Sequence, residues 1–136
     1  MKSVAVDASV LYALFDAGDR AHAQAVRFLA QPSQLLITSV PVLTEVIYLL
    51  DYSVDTQQAF LVWAHQSLDI DDAAGRELPR IAEIMKKYAD LPADFADAAL
   101  VAMCERRNID QIATLDRDFD VYRLTDKTPM TNVFRT

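Results

Sequence analysis

The segment SVAVDASVLYALF, residues 3–15, changes from a strand pattern to a helix pattern at a single acid. Its apolar run, Val4–Val6, is short and uninterrupted, which is typical of a strand buried on both faces of a parallel sheet. Asp7 ends that run, and Ser9 is a favourable N-cap residue for the helix that follows. The segment therefore predicts a β-strand over 3–7 that leads directly into a helix, with a carboxylate at the junction.

Strand-like and helix-like segments alternate along the rest of the chain. Further strand patterns lie at 35–38, 68–70, 112–115, 121–124 and 132–135. Helix patterns lie at about 20–30, 41–50, 55–65, 72–89 and 95–107. Strands separated by helices predict a three-layer α/β/α fold with a mostly parallel central sheet. Because no linker divides the chain, we expect residues 1–136 to form a single domain.

Three of these helices carry more specific signals. Pro41 suits the first turn of its helix, where its missing N–H costs nothing. Asp94 is a good N-cap residue for the helix that begins after it. In the helix at 20–30, the spacing predicts an apolar face made of Ala23, Val26 and Leu29.

The composition excludes several classes of protein. With 136 residues, of which 52% are apolar, the chain can bury a core without a covalent cross-link. Its single cysteine, Cys104, excludes an intramolecular disulfide and a metal cluster bound by several cysteines. The N-terminal apolar stretch is too short for a signal peptide, and no run approaches the roughly 18 apolar residues of a membrane span. We therefore expect a soluble, cytoplasmic protein that does not enter a membrane.

The net charge of −7 argues against nucleic-acid binding, since surfaces that bind phosphates are usually basic. This argument weakens if several of the acids surround a divalent cation, because the ion reverses or reduces the local field. The overall charge is then a poor guide to the charge of the active surface. It also suits a protein partner with an arginine-rich segment.

Four acids stand in or against segments that read as core: Asp7, Glu45, Asp97 and Asp116. An unpaired carboxylate in such a place would take up a proton, at a cost of several kcal/mol. The parallel topology brings all four towards the carboxyl edge of the sheet, because two of them end strands and two lie near the start of helices. The simplest shared partner is a hard divalent cation, Mg²⁺ or Mn²⁺. One or two such ions suit the hydrolysis of a phosphodiester.

Each acid also has an ordinary structural explanation. Asp7 could be a turn residue at the end of a strand, and Glu45 could be a surface acid on a helix. Asp97 could interact with a helix dipole, which is worth roughly 0.3–1 kcal/mol. Asp116 could form an Asx turn. It is the joint occurrence of the four acids in this order that favours a shared site.

The ordered set of motifs resembles the PIN-domain ribonucleases. The set consists of VAVDASVL at 4–11, Glu45, DFADAALVA at 94–102 and ATLDRDF at 113–119. Within that family the chain is most similar to the toxins of VapBC-type toxin–antitoxin pairs, and the resemblance covers nearly the whole sequence. It implies a Mg²⁺- or Mn²⁺-dependent endoribonuclease on a parallel sheet. It also implies a homodimer and a small antitoxin protein as an inhibitory partner.

The resemblance assigns catalytic and metal-binding roles to the four acids. Asp7, Glu45, Asp97 and Asp116 match the family's first, second, third and fourth acids in turn. Asp7 and Asp97 are the strongest expected metal ligands. Glu45 is expected to bind the metal, directly or through water, or to orient the nucleophile, and Asp116 is expected to complete the pocket.

Four further residues are expected to support the acids. Ser9 and Thr114 could donate hydrogen bonds to a carboxylate or to a substrate phosphate. Asp94 lies one helical turn before Asp97, so it either faces the same pocket or only caps the helix. Arg117 could contact a phosphate of the substrate.

Two other functions remain open on the same fold. The first is a binding module that holds RNA or a protein without cleaving it. The second is a phosphatase for a small substrate, although that class usually carries an Asp-x-Asp motif after its first strand, and here Asp7 is followed by Ala8 and Ser9. Cleavage of RNA rather than of a chromogenic phosphate ester would distinguish a ribonuclease from a phosphatase. A metal-independent complex with uncut RNA would favour the binding module. The stretch 125–136 carries no motif, so its role is open.

Overall fold

Five parallel strands form the central sheet in the computed structural model, which describes residues 2–134. Their order across the sheet is β3-β2-β1-β4-β5. The first strand thus lies in the middle, where the Val4–Val6 run is at most 1% exposed. The bounds are β1 Lys2–Val6, β2 Gln34–Ser39, β3 Asp69–Asp71, β4 Gln111–Ala113 and β5 Thr131–Asn132.

Six α-helices connect and cover the strands within residues 2–134. They are α1 Ala8–Phe15, α2 His22–Leu29, α3 Val40–Leu49, α4 Val54–Ser67, α5 Leu78–Lys87 and α6 Phe95–Arg107. Two short 3-10 helices, Ala73–Glu77 and Arg117–Asp120, complete the set of helical elements there. The predicted α/β fold with a mostly parallel sheet is confirmed. Each helix of this part of the chain is too short or too polar to cross a lipid bilayer.

The sixth helix is the most deeply buried one. Every residue from Asp97 to Cys104 is buried, because the helix packs against α3, α5 and strand β2. Its sequence is apolar on all sides, which is typical of a helix enclosed by other elements. Asp97 is therefore buried because the part of α6 that carries it is buried.

The first helix begins two residues earlier than Ser9 would set it, and the prediction of Ser9 as its N-cap is wrong. Asp7 occupies the N-cap position, with extended backbone angles and no side-chain capping bond. The strand ends at Val6, so the chain enters the helix at once. The hydroxyl of Ser9 donates instead to the Asp7 carboxylate, at 3.0 Å.

The predicted apolar face of the second helix is wrong for Ala23 and Val26, whereas Leu29 packs partly buried against the core. Ala25 and Phe28 are buried, whereas Ala23 and Val26 are exposed. The large aromatic side chain decides the orientation, because Phe28 packs edge-on against Phe134 with 5.4 Å between the ring centroids.

The helix predicted over 72–89 is divided into two elements. A 3-10 helix occupies Ala73–Glu77, and α5 starts at Leu78 with Pro79 in its first turn. Proline has no N–H to donate and its ring clashes with the preceding turn of a continuing α-helix. The chain therefore starts a new helix at this proline.

The tail forms one short strand where two were predicted. The prediction of a strand over 121–124 is wrong, since only an isolated antiparallel bridge joins Arg123 to Pro129. Residues Thr131–Asn132 pair with β4 in parallel, so the strand predicted over 132–135 is found only at its first residue. Arg135 lies outside the described residues. The stretch without a motif thus supplies the edge strand of the sheet.

A cluster of ions fixes the far end of α6 to the sheet. Asp71, at the end of β3, is buried and accepts hydrogen bonds from Arg106 at 2.5 Å and Arg107 at 3.2 Å. Burial alone would raise the pKa of Asp71, but these two guanidinium groups and the Ala73 N–H hold it below its usual value. The carboxylate therefore stays charged and ties α6 to β3.

We expect Asp71→Ala to lower the free energy of unfolding by about 1–3 kcal/mol at pH 7, since it leaves two arginines without their buried partner. The pKa of Asp71 is lowered in the folded state, so its contribution is present above the unfolded value near 4 and is lost as the pH falls below it. Urea unfolding of both proteins at pH 7 and pH 3 measures this. The exposed neighbour Asp72 provides the control, and equal losses for Asp71→Ala and Asp72→Ala would contradict the expectation.

Candidate active site

The carboxyl ends of the two central strands place the first and fourth acids side by side. Strands β1 and β4 are paired in parallel, with Val6 opposite Ala113. The N–H of Asp7 donates to the carbonyl of Ala113 at 3.0 Å, which continues the pairing past the end of β1. Asp116 lies three residues beyond the end of β4. Both acids therefore lie at the edge where parallel α/β sheets usually hold their sites.

Two hydroxyl groups hold the Asp7 carboxylate. Thr114 donates to Oδ2 at 2.7 Å and Ser9 donates to the same oxygen at 3.0 Å. Asp7 is only 4% exposed. Burial raises the pKa of its carboxyl group, and the nearby charge of Asp116 adds to that effect, while the two hydroxyl hydrogen bonds oppose it.

The same hydroxyl groups also fix the loop that carries Asp116. Thr114 Oγ1 accepts the N–H of Asp116, and Ser9 Oγ accepts the N–H of Leu115, both at 2.9 Å. The Asp116 side chain accepts the N–H of Asp118 at 2.9 Å, an Asx-type turn. A single network of hydrogen bonds therefore sets the first acid and the loop of the fourth acid relative to each other.

Asp97 is buried at the start of α6. Its N–H donates to Asp94 Oδ1 at 2.8 Å, so Asp94 caps the helix, and its Oδ2 accepts the hydroxyl of Tyr122 at 3.4 Å. The pKa of Asp97 rises to about 8, first through burial and then through the charges of neighbouring carboxylates. Those carboxylates belong to Asp7, Asp94, Asp116 and Glu45.

Glu45 carries a buried oxygen without a partner. Within residues 2–134, its Oε2 accepts no hydrogen bond although the atom is shielded from solvent. The pKa of Glu45 rises to about 7, mainly through burial and then through the charges of Asp94, Asp7 and Asp116. A buried carboxylate with neither a hydrogen-bond donor nor a cation beside it costs free energy. This cost favours the binding of a positively charged ligand.

An open groove of about 550 Å³ borders the acids on one side. Glu45 and Asp94 contribute to its wall, and the remaining lining residues are mostly apolar. They are Val40, Pro41, Thr44, Tyr48, Phe95 and Ala96. The groove therefore gives solvent and larger molecules a route to one side of the acidic cluster.

The acids therefore form one electrostatic cluster. The pKa values of Asp7, Glu45 and Asp97 are each raised in part by the charge of at least one of the other acids. Of the supporting residues, Ser9, Thr114 and Asp94 contact or surround the acids, whereas Arg117 is exposed at the start of a 3-10 helix.

The donors of this cluster fit a hard divalent cation in their chemistry. Carboxylate oxygens are the ligands that Mg²⁺ and Mn²⁺ prefer, and the mutual repulsion of the acids favours a counter-ion. Within residues 2–134, however, no set of three His, Cys, Asp or Glu side chains is already arranged to hold one ion. An ion bound by one or two of these carboxylates and completed by water does not require such a set.

Three residues of this region had no signal in the sequence. Tyr122 contacts Asp97 across 25 positions. Asn132 donates to the carbonyl of Thr114 at 2.9 Å and so connects β5 to the residue that holds Asp7. The hydroxyl of Ser39, the N-cap residue of α3, is buried without a hydrogen-bond partner in the described part of the chain. All three depend on which segments the fold brings together, and no local pattern encodes that.

Comparisons with known proteins agree with this geometry. A family model described as PIN domain matches residues 4–124. Ribonuclease VapC26 of Mycobacterium tuberculosis is 32% identical over 115 residues, which cover 82% of this chain and 85% of the relative. Among solved structures, VapC20 of Mycobacterium tuberculosis, a sarcin–ricin-loop-cleaving toxin, is similar with a TM-score of 0.79 at 23% identity, over 93% of this chain and 99% of that one.

A second solved structure, VapBC2 from Rickettsia felis bound to a DNA fragment from their promoter, is similar with a TM-score of 0.64 at 14% identity. It covers 96% of this chain and 96% of its own. These two structures support the fold, since both are less than 25% identical in sequence. Through the matched residues and the curated relative, the chain belongs to the PIN-domain family and, within it, to the VapC-type ribonucleases. The resemblance predicted from the order of the acidic motifs is confirmed.

Asp97→Asn should make the metal-free protein more stable at neutral pH. The pKa of Asp97 is raised to about 8, so the wild-type free energy of unfolding falls as the pH rises from about 4 to about 8, and the amide has no proton to lose. We expect a gain of roughly 1–3 kcal/mol at pH 8 and almost none at pH 4. Urea unfolding in EDTA measures it.

The exposed acid Asp90 supplies the control, because Asp90→Asn should leave the pH dependence unchanged. A loss of stability in Asp97→Asn at pH 8 would mean that the carboxylate already has a favourable partner in the metal-free protein.

Proposed function

We propose that this PIN-domain ribonuclease cuts RNA internally with Mg²⁺ or Mn²⁺ held by Asp7, Glu45, Asp97 and Asp116, and that it is the toxin of a toxin–antitoxin pair. The single observation that carries the proposal is the clustering of these chain-distant carboxylates at one sheet edge, where burial and mutual charge raise the pKa values of three of them. Such a cluster is unfavourable unless a cation offsets it.

The residues around the acids have distinct tasks in this proposal. Ser9 and Thr114 orient Asp7 by donating to one of its oxygens, which leaves the other oxygen for a ligand. Thr114 also holds the backbone of Asp116, so the two acids keep their relative placement. A bound divalent cation would polarise the scissile phosphate and lower the pKa of the attacking water.

Glu45 is the proposed general acid or base that accepts or donates a proton during RNA hydrolysis. Its pKa of about 7 in the metal-free protein lies near neutral pH, and its Oε2 is shielded from solvent without a hydrogen-bond partner among residues 2–134. It also borders the groove that leads to the cluster. Glu45 therefore borders the groove and is exposed to the charges of Asp94, Asp7 and Asp116.

A protein partner is the second part of the proposal. The similar structure VapBC2 of Rickettsia felis, bound to a DNA fragment from their promoter, supports an antitoxin partner for this chain. The net charge of −7 suits an antitoxin with a basic segment. We expect the protein to act as a homodimer in the cytoplasm, where it would meet RNA.

Asp7→Asn and Asp97→Asn should each lower RNA cleavage by at least about 100-fold, since losing a ligand should exceed the roughly 10–100-fold cost of losing a supporting hydrogen bond. The measurement is cleavage of labelled single-stranded and hairpin RNA with Mg²⁺, with Mn²⁺ and with EDTA. Asp90→Asn is the matched control and should cleave normally.

Three outcomes would contradict the proposal. Cleavage that persists in EDTA would remove the role of the metal. Hydrolysis of a chromogenic phosphate ester without cleavage of RNA would favour a phosphatase. A stable complex with RNA that is independent of metal and leaves the RNA uncut would favour a binding module.

Expression of the wild-type chain alone should arrest the growth of a bacterial host, and Asp97→Asn should relieve the arrest at equal protein level. The reason is that a toxin acts through the same carboxylates that cut RNA. Colony counts after induction, with immunoblots for protein amount, measure this. Normal growth with active wild-type enzyme would favour a housekeeping nuclease, as would the absence of a small neighbouring gene whose product restores growth.

A further inference from the structure

The short segment 116–122, which follows β4, begins at one candidate acid and ends at a tyrosine that contacts another. It starts at Asp116, whose side chain accepts the N–H of Asp118, and it ends at Tyr122, whose N–H donates to the carbonyl of Asp118 at 3.3 Å. The 3-10 helix Arg117–Asp120 fills the space between them. A compact turn with these internal bonds fixes where its last side chain points.

The ring of Tyr122 is held on two sides by other aromatic rings. It is 0% exposed. Phe119 packs edge-on at 4.9 Å between centroids and Tyr88 at 5.0 Å. Edge-to-face pairs of this kind fix the orientation of a ring, so the position of its hydroxyl group is determined by packing.

The hydroxyl of Tyr122 donates to Oδ2 of Asp97 at 3.4 Å. A buried tyrosine hydroxyl requires a polar partner, and this carboxylate supplies it. The distance is longer than the roughly 2.7–2.8 Å of a typical O–H···O bond, so the contact adds little to the stability of the fold. The direction of the hydrogen bond matters more than its strength, because the bond engages one defined oxygen of Asp97.

We propose that Tyr122 is a positioning residue that holds the Asp97 carboxylate in the orientation needed to bind the divalent cation. The side chain of Asp97 can rotate about two bonds, and a fixed donor at Oδ2 restricts that rotation and leaves lone pairs of the carboxylate for the ion. The inference rests on the proposed metal-dependent function. It adds a residue outside the four acidic motifs, carried by the same loop as Asp116.

Tyr122→Phe tests the inference because it removes the hydroxyl and keeps the ring. We expect the dissociation constant for Mn²⁺, measured by calorimetry on the intact protein at one pH, to rise about tenfold to a hundredfold. The thermal midpoint in EDTA should stay close to that of the wild type. Cleavage of RNA should recover when Mn²⁺ is raised to saturate the variant.

Tyr88→Phe is the matched control in the same aromatic cluster. The Tyr88 hydroxyl accepts the N–H of Arg123 at 3.0 Å and makes no hydrogen bond with Asp97 within residues 2–134. Its loss should lower the thermal midpoint and leave Mn²⁺ affinity within about twofold, since only a backbone partner is removed.

The possible outcomes distinguish the role of Tyr122 from the proposed metal-dependent function. Wild-type and Tyr122→Phe proteins with equal Mn²⁺ affinity would overturn the role of Tyr122 and leave the proposed function standing. A weaker affinity in both tyrosine variants would assign the effect to a general loosening of the aromatic cluster and would overturn the inference as well. A wild-type protein that binds no Mn²⁺ would overturn the metal centre and, with it, this inference.

Discussion

Repulsion between carboxylates that the fold forces together is the constraint on which the rest of the structure depends. Asp7, Glu45, Asp94, Asp97 and Asp116 act on one another, and burial removes the water that would screen them. Folding stability must therefore come from elsewhere in the chain. The apolar run Val4–Val6 of β1 and the segment Asp97–Cys104 of α6 provide it, since both are buried.

The supporting contacts hold Asp7 and Asp97 through residues that lie outside the four acids. Hydroxyl groups hold Asp7, and an Asn on the edge strand holds the threonine that provides one of them. At the opposite end of α6, Asp71 and two arginines tie the helix to β3. The unfavourable charges thus sit on a scaffold whose own charges are paired.

The sequence predicted the parts of the molecule whose signals are local. The Val4–Val6 run, the junction acid Asp7 and the cap Asp94 each follow from neighbouring residues, and the order of the acids was enough to indicate the family. The roles of Tyr122 and Asn132 could not be predicted, because they depend on contacts 25 and 18 positions apart along the chain. The face of α2 was mispredicted for a similar reason, since Phe28 packs on a ring from the tail. The metal-binding roles of the acids and the extent of the single domain stay predictions.

The pairing of Thr114 with Asn132 has a consequence for the newly made protein. Strand β1, Asp7 and Ser9 are synthesised early, yet Thr114, the other hydroxyl partner of Asp7, comes more than 100 positions later, and β5 comes later still. A chain that grows from its N-terminus cannot assemble this network until translation has passed residue 132. Copies that are still shorter than this therefore lack part of the network that orients Asp7, so the order of synthesis delays the completion of the site in a newly made nuclease.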